Sequence, residues 1–389
     1  MLVVGGGYAD IPLILSAKKL GFYVITTGNR PEELGHKYSD EYHQVDFSDC
    51  DAIYELARKL KVSAICPSCN DFAALSASYA AEMLELPGHD SFNIAKIIHH
   101  KDEYRKFAAT NGIPSPKARG FMDRDEALES IYSMSLPLII KPVDLTGGKG
   151  ITTIYNYDEA QDAINKAFTR SKNKRIVIEE YIEGNRHGFS AFLYKGKVKF
   201  YFSDNEHYYL NPYMVSAASS PSLVSEDVEK KLCMETEKIA SLLPLKDGIF
   251  HIQYILKDDK PIIIEICRRP PGDLYINLVK YATEVDYPKW IVQAFSGIDC
   301  GELEHVSTRG YFTRHCIMTS KVGKIKDIIF DQSIKNNIID QFLWWQKGDE
   351  VSDIMTAKFG IVFLKFDTFE EMMSITKQLN ELIKVEMER

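Results

Sequence analysis

The sequence predicts an α/β domain built on a parallel sheet, followed by an α+β region with antiparallel strands. Three observations carry this. Short apolar runs alternate with helical patterns over the first ninety residues; the rhythm changes after about residue 95; and two hairpin patterns follow, FSAFLYKGKVKFYF and FHIQYILKDDKPIIIEI. Strands that alternate with helices make βαβ units, whereas strands joined by two turn residues make hairpins.

Leu2 to Val4 is a short buried strand, and the turn Gly5-Gly6-Gly7 follows it. A helix comes next, with Pro12 in its first turn and Gly21 closing it. Phe22 to Thr26 and Val62 to Pro67 read as further strands, separated by an amphipathic helix over 51–60, and 71–86 is Ala-rich and helical. A helix near 101–111 ends at Gly112, before the rigid linker Ile113-Pro114-Ser115-Pro116. Strands at 137–142, 151–155 and 175–181 enclose a Gly-rich turn at 147–150 and a helix over 158–169. The hairpins turn at Lys195-Gly196 and Asp258-Asp259; strand-like pieces lie near 310–317 and 360–366, and a helix is expected from 368 to the end. The domains expected are therefore 1–95 (parallel-sheet α/β), 96–300 (α+β, with a smaller subdomain at about 112–181) and 301–389 (a small α+β part).

Composition sets limits. The 389 residues suffice for two or three domains with their own cores. The 47 basic and 55 acidic residues give a net charge of -8, and no dense Lys/Arg run suggests a nucleic-acid partner. No apolar stretch approaches the roughly 18 residues of a membrane span, and MLVVGGG has no basic segment ahead of its apolar residues. An odd number of scattered cysteines, seven, suggests reduced thiols in a cytoplasm.

The N-terminal glycines suggest a dinucleotide fingerprint, but Asp10 stands where its third glycine belongs, and the second strand ends without a carboxylate. A tight strand-to-helix turn is the better reading. Cys66-Pro67-Ser68-Cys69 has no second ligand pair, and His99-His100, adjacent on a helix, are expected in solvent. The middle of the chain is richer. Lys141 ends an apolar strand, and the glycine-rich TGGKG that follows can cradle phosphate oxygens with backbone N–H groups, although it is no Walker loop. Glu179, Glu180, Tyr181 and Ile182 end another apolar strand. Gln253 and Glu265 occupy the two arms of the second hairpin, and Glu265 lies in PIIIEICRRPPGD. A carboxylate in so apolar a strand needs a partner or a metal, and oxygen ligands suit Mg²⁺. Arg268 and Arg269 follow at once, so a dication and fixed guanidinium groups converge, as phosphoryl transfer requires.

Taken in order, GGGYADIPLILSAKKLGFYVI, KDEYRKFAATNGIPSP, LPLIIKPVDLTGGKG, VIEEYIEG and FHIQYILKDDKPIIIEICRRPPG resemble the ATP-grasp superfamily over roughly residues 1–296. The resemblance implies a Rossmann-like domain, a two-subdomain grasp fold closing on ATP, and a small C-terminal part packed against it. It implies that Lys101 and Lys141 contact phosphates, that Gly147, Gly148 and Gly150 form the lid, and that Glu179, Glu180, Tyr181 and Ile182 hold adenine. His187 falls where some members place a ribose or phosphate contact. Gln253 and Glu265 would bind Mg²⁺ or Mn²⁺, and Arg269, with Arg268 beside it, would steady an acyl phosphate. Members usually carry Glu or Asp where Gln253 stands and Asn where Cys267 stands, so the metal site has one charge fewer. EICRRPPGD is similar to the branch containing carboxylate–amine ligases, including those for amino acids. The activity implied is ATP-dependent ligation of a small-molecule carboxylate to an amine. The alternatives are a carboxylase-type enzyme activating bicarbonate and a non-catalytic ATP-binding module; a homo-oligomer is compatible with all three.

Overall fold

The computed structural model describes residues 1–145 and 148–388. Within them the chain forms 19 strands and 11 α-helices. The N-terminal part runs β1 (Leu2–Val4), α1 (Ile11–Lys19), β2 (Ile25–Gly28), β3 (Glu41–Gln44), α2 (Cys50–Leu60), β4 (Ile65–Pro67), α3 (Asp71–Met83), α4 (Phe92–His99) and α5 (Lys101–Thr110). Its four strands pair in the order β3-β2-β1-β4, all parallel. Two expected strands begin three residues late. Phe22 and Val62 each donate their N–H to a carbonyl of the preceding helix (Ala17 O and Ala57 O, 3.1 and 3.2 Å), so both residues close a helix instead of entering the sheet. The polar strand EYHQ of β3 has no apolar alternation to announce it; it is an edge, and partly exposed.

Asp10 has a structural task. Its buried carboxylate accepts from the N–H of Gly7 and of Cys69, each at 2.9 Å, and so ties the glycine turn to the loop after β4. A glycine there would leave both donors without that acceptor. Burial pushes this carboxyl up to about 6.

The next part comprises β5 (Ala118–Phe121), α6 (Arg124–Ile131), β6 (Leu138–Pro142), β7 (Thr152–Ile154), α7 (Ala160–Arg170) and β8 (Ile176–Glu180). An antiparallel sheet, β5-β8-β6-β7, carries both helices over a core of its own that includes Ile131, Ile140, Ile164, Phe168 and Ile178. A separate core is what lets such a unit move as a body.

The rest of the chain runs β9 (Asn185–Tyr194), β10 (Lys197–His207), β11 (Ala217–Ser220), α8 (Glu226–Leu242), β12 (Gly248–Lys257), β13 (Lys260–Cys267), α9 (Tyr275–Thr283), α10 (Tyr287–Phe295), β14 (Tyr311–Ile317), β15 (Gly323–Phe330), β16 (Ile338–Leu343), β17 (Glu350–Val351), β18 (Gly360–Phe366), α11 (Phe369–Leu382) and β19 (Ile383–Met387). Eight strands make one antiparallel sheet, β13-β12-β9-β10-β11-β14-β18-β16. Both expected hairpins are present, with Lys195, Asp258 and Asp259 at positive φ. The tail after residue 300 contributes β14, β18 and β16 to this same sheet. The terminal helix stops at Leu382, because β-branched Ile383 and Val385 leave it to pair with β15. One face of the large sheet buries Phe192, Phe200 and Ile249 with α9, α10 and the α1 side of the N-terminal domain; the other packs under α5 and α8. No helix among the described residues is long and apolar enough to cross a membrane.

Candidate active site

A cavity of about 390 Å³ lies where the small sheet, the large sheet and the N-terminal domain meet. Lys101, Lys141, Gly148, Glu179, Glu180, Tyr181, Ile182, Gln253, Glu265, Cys267 and Arg269 all border it. Positions up to 168 residues apart in sequence, 101 to 269, thus reach one space. Gly147 lies outside the described residues.

Lys101 opens α5, donates to Leu145 O at 3.0 Å, and stands 3.6 Å from Glu265 Oε1. Lys141 is almost wholly buried on β6 and pairs with Glu179 Oε1, while Arg105 Nε donates to Glu179 Oε2 at 2.9 Å. Burial alone would raise the Glu179 carboxyl; Arg105 and Lys141 outweigh it and hold it down to about 2. The side chain expected at adenine is therefore the anion of a buried Arg–Glu–Lys group. Glu180 and Tyr181 give their backbone N–H groups to Lys117 O and Pro137 O, 3.0 Å each, and the Glu180 carboxylate accepts from Lys117 N at 2.8 Å. Ile182 follows them, and all four residues border the cavity.

Gln253 and Glu265 are direct partners across β12 and β13. The Gln253 amide donates to Glu206 Oε1 at 2.6 Å. Among the described residues no group of three or more His, Cys, Asp or Glu is placed to hold a metal. Glu265 and Gln253 beside Lys101 fit a hard dication whose other ligands are phosphate oxygens, and that is the usual manner of Mg²⁺. Cys267, where an amide is usual, is buried with its thiol turned to Arg269 O at 3.7 Å.

The two arginines separate. Arg269 borders the cavity and is held bidentate by Asp71 at 2.9 and 3.1 Å; Asp71 also bonds His99 Nδ1 at 3.0 Å. His99 is thus buried, contrary to the solvated place expected for it. Arg268 points away from the cavity. It donates to Asp90 Oδ2 at 2.8 Å and to the carbonyls of Lys246, Gly248 and Ile249, so it is structural and the catalytic role expected of it is corrected. His187 does not border the cavity either. It is buried, stacked on Tyr254, with Nδ1 at 3.3 Å from Ser222 Oγ, and burial lowers it to about 4. A neutral ring in that position makes no charged contact with ribose or phosphate.

Gly148 has φ +74°, and a Cβ there would stand 2.8 Å from Tyr213 Cβ and 2.9 Å from Tyr213 O. Gly150, also at φ +74°, turns the same loop but packs on Pro142 rather than the cavity. Arg105, Asp71, Asp204, Glu206 and the group Asp273–Arg314–Lys358 (3.4 and 2.6 Å) also border the cavity and were not among the residues singled out above. The one usable signal was Asp204 and Glu206 at i and i+2 in SDNEH, one face of a strand.

Residues 100–210 match the family of the phosphoribosylglycinamide synthetase ATP-grasp (A) domain. The carbamoyl phosphate synthase large chain of Clostridium beijerinckii is 21% identical over 294 residues, which are 72% of this chain and 26% of that one, so the match spans about a quarter of that relative. The formate-dependent phosphoribosylglycinamide formyltransferase of Methanococcus vannielii is 22% identical over 294 residues, 72% of each chain. Among solved structures, the L-amino acid ligase from Bacillus licheniformis superposes with a TM-score of 0.82 at 18% identity, covering 100% of this chain and 98% of that one. The chain therefore shares the fold of that ligase over its whole length. Residues 100–210 within it carry the match to an ATP-grasp domain.

Proposed function

We propose that the chain is an ATP-dependent ligase that activates a carboxylate as an acyl phosphate and joins it to an amine, releasing ADP and phosphate. One observation carries this reading: Lys101, Lys141, Glu265, Gln253 and Arg269 border a single cavity between the small sheet and the large one. A lysine pair, an oxygen-only dication seat and a fixed guanidinium are what a transferring phosphoryl group needs. The likeness to the L-amino acid ligase from Bacillus licheniformis and to the phosphoribosylglycinamide synthetase A domain supports it.

In this reading ATP lies with its base against the apolar slot of Ile139, Ile182 and Ile264 and its phosphates toward Lys101 and Lys141. Glu265 and Gln253 would hold Mg²⁺, which supplies neutralisation of the phosphate charge. Arg269, fixed by Asp71, cannot swing away, so its outer face steadies charge without reorganising. The loop through Gly148 presses on Tyr213 and closes the cavity over the acyl phosphate, which water would otherwise hydrolyse.

The test is ADP release with ATP, Mg²⁺ and the twenty proteinogenic amino acids, singly and in pairs. Release that requires two substrates is expected. Release with bicarbonate alone would replace the ligase reading with bicarbonate activation; the biotin carboxylase domain of the 2-oxoglutarate carboxylase from Hydrogenobacter thermophilus, a structure that holds bicarbonate, superposes with a TM-score of 0.78.

A further inference from the structure

Two carboxylates of the cavity have no part in holding ATP. Asp204 and Glu206 are alternate residues of β10 and so share one face of the sheet. Glu206 is fully engaged, accepting from Gln253 at 2.6 Å and from Tyr208 Oη at 2.5 Å. Asp204 is not. Its Oδ1 accepts from Tyr275 Oη at 2.5 Å, but Oδ2, in a residue that is fully buried, has no partner among the described residues. A buried carboxylate oxygen without a donor costs on the order of 1–3 kcal/mol, more if charged, so a fold that keeps one there invites a donor from outside the chain.

The position of Asp204 follows from the sheet register. Asp204 pairs with Gly188 of β9, and Gly188 pairs on its other side with Gln253. Gly188 leaves a gap in that row; a Cβ there would stand 2.4 Å from Asp204 Oδ1. Two strand spacings, about 10 Å, separate Asp204 from Gln253 on β12, and a third, about 14 Å in all, separates it from Glu265 on β13. Asp204, Gln253 and Glu265 all border the same cavity. The groups facing Asp204 are Glu206 on its own strand, Tyr275 of α9, Tyr254 of β12 and Arg314 of β14, the last shared with Asp273. Burial first, and then the charge of Glu206, push the Asp204 carboxyl up to about 7, against the pull of Tyr275 and Arg314.

We propose that Asp204 seats the ammonium group of the acceptor substrate and removes its proton, with Glu206 supplying a second negative charge beside it. This rests on the ligase reading. The carboxylate of Asp204 takes one proton from R–NH₃⁺ to give R–NH₂. The nitrogen lone pair then forms the N–C bond to the acyl carbonyl. The C–O bond to phosphate breaks, and phosphate departs with that electron pair and with the second proton of the nitrogen. Asp204 afterwards loses its proton to solvent. The substrate class is a primary amine that is protonated in solution.

Hydroxylamine is largely uncharged at neutral pH and needs no base, so it separates this role from the rest of catalysis. Phosphate release is measured in the parent and in Asp204→Asn across the twenty proteinogenic amino acids, with ammonium ion, a second amino acid or hydroxylamine as nucleophile. In Asp204→Asn the ratio of the protonated-amine rate to the hydroxylamine rate is expected to fall by about a hundredfold or more. Tyr275→Phe removes a hydrogen bond that holds the Asp204 pKa down, so the acid limb of the protonated-amine rate should move to higher pH. An unchanged ratio, equal losses with both nucleophiles, an unmoved acid limb, or a parent that uses only hydroxylamine would each overturn the assignment. A parent that releases neither ADP nor hydroxamate with any carboxylate sinks the ligase reading itself.

Discussion

Replacing Arg268 by methionine should cost stability and spare ATP binding. The side chain is about 8% exposed and its partner Asp90 about 6%. Its guanidinium satisfies the Asp90 carboxylate and three carbonyls at the start of β12, so it fastens the loop before α4 to the hairpin that carries Gln253 and Glu265. Removing one partner of a buried, hydrogen-bonded ion pair costs about 3–5 kcal/mol, because the other charge stays buried alone. If all 389 residues unfold together, an unfolding entropy of about 2.1 cal/mol/K per residue turns 4 kcal/mol into a Tm drop of about 5 °C; it is about twice that if only half of the chain unfolds as a unit. Asp90→Asn added to Arg268→Met should recover part of the loss, since no bare charge then remains. The assays are calorimetric melting and ATP titration of the folded protein, whose Kd should stay within about twofold because Arg268 does not border the cavity. An unchanged Tm together with abolished turnover would refute this and return Arg268 to the catalytic place that EICRRPPG suggests.

Glu179 should show in acid. Its folded pKa, about 2, lies below the ordinary value of 4.5, so its contribution is complete above pH 4.5 and drains as pH falls toward 2, a loss on the order of 3 kcal/mol. Urea unfolding of the parent and of Glu179→Gln across that window should lose the slope only in the variant. At the dication seat, Glu265→Gln should lower Mg²⁺-dependent turnover by about a hundredfold or more with the fold intact. Gln253→Glu alone, which the sequence suggests would tighten Mg²⁺, instead sets a second carboxylate 2.6 Å from Glu206. The tightening is therefore expected only with Glu206→Gln added, and Mg²⁺ titration of turnover in the three proteins checks it. Gly148→Ala puts a Cβ 2.8 Å from Tyr213 Cβ in a left-handed turn, so kcat should fall and stability, read from urea unfolding, should drop by about 1 kcal/mol or more.

The hairpin strands were legible because they are long, apolar and joined by turn residues, and β18 in the tail, a nearly continuous apolar run, spans Gly360–Phe366, the range its sequence reading has. Strand starts such as Phe22 and Val62 were not, because the competition there is between a helix cap and a sheet ladder, and both want an apolar residue. The site divides in the same way. Lys141 and Glu265 stand out as charges set in apolar strands, where the desolvation cost demands a reason, and Arg269 follows two residues past the end of the second. Asp71, Arg105 and Arg314 sit in ordinary polar surroundings in sequence, and only folding brings each to a partner far along the chain: Arg269, Glu179 and Asp273.

The pairings also explain a departure that looks like loss of function when read alone. By the ATP-grasp resemblance an acid is expected at position 253, and an amide there removes a charge from the dication seat. In the sheet, however, that amide is the donor that satisfies Glu206, and Glu206 stands two residues from Asp204 on the same face. An acid at 253 would crowd three carboxylates, 253, 206 and 204, beside the fourth at 265. With glutamine the negative charge is divided into two places, Glu265 on β13 and the Asp204–Glu206 pair three strand spacings away, about 14 Å between strands, with the Gln253 amide between them. One end suits a dication and the other an ammonium group, so the substitution moves charge from the nucleotide toward the acceptor within one cavity.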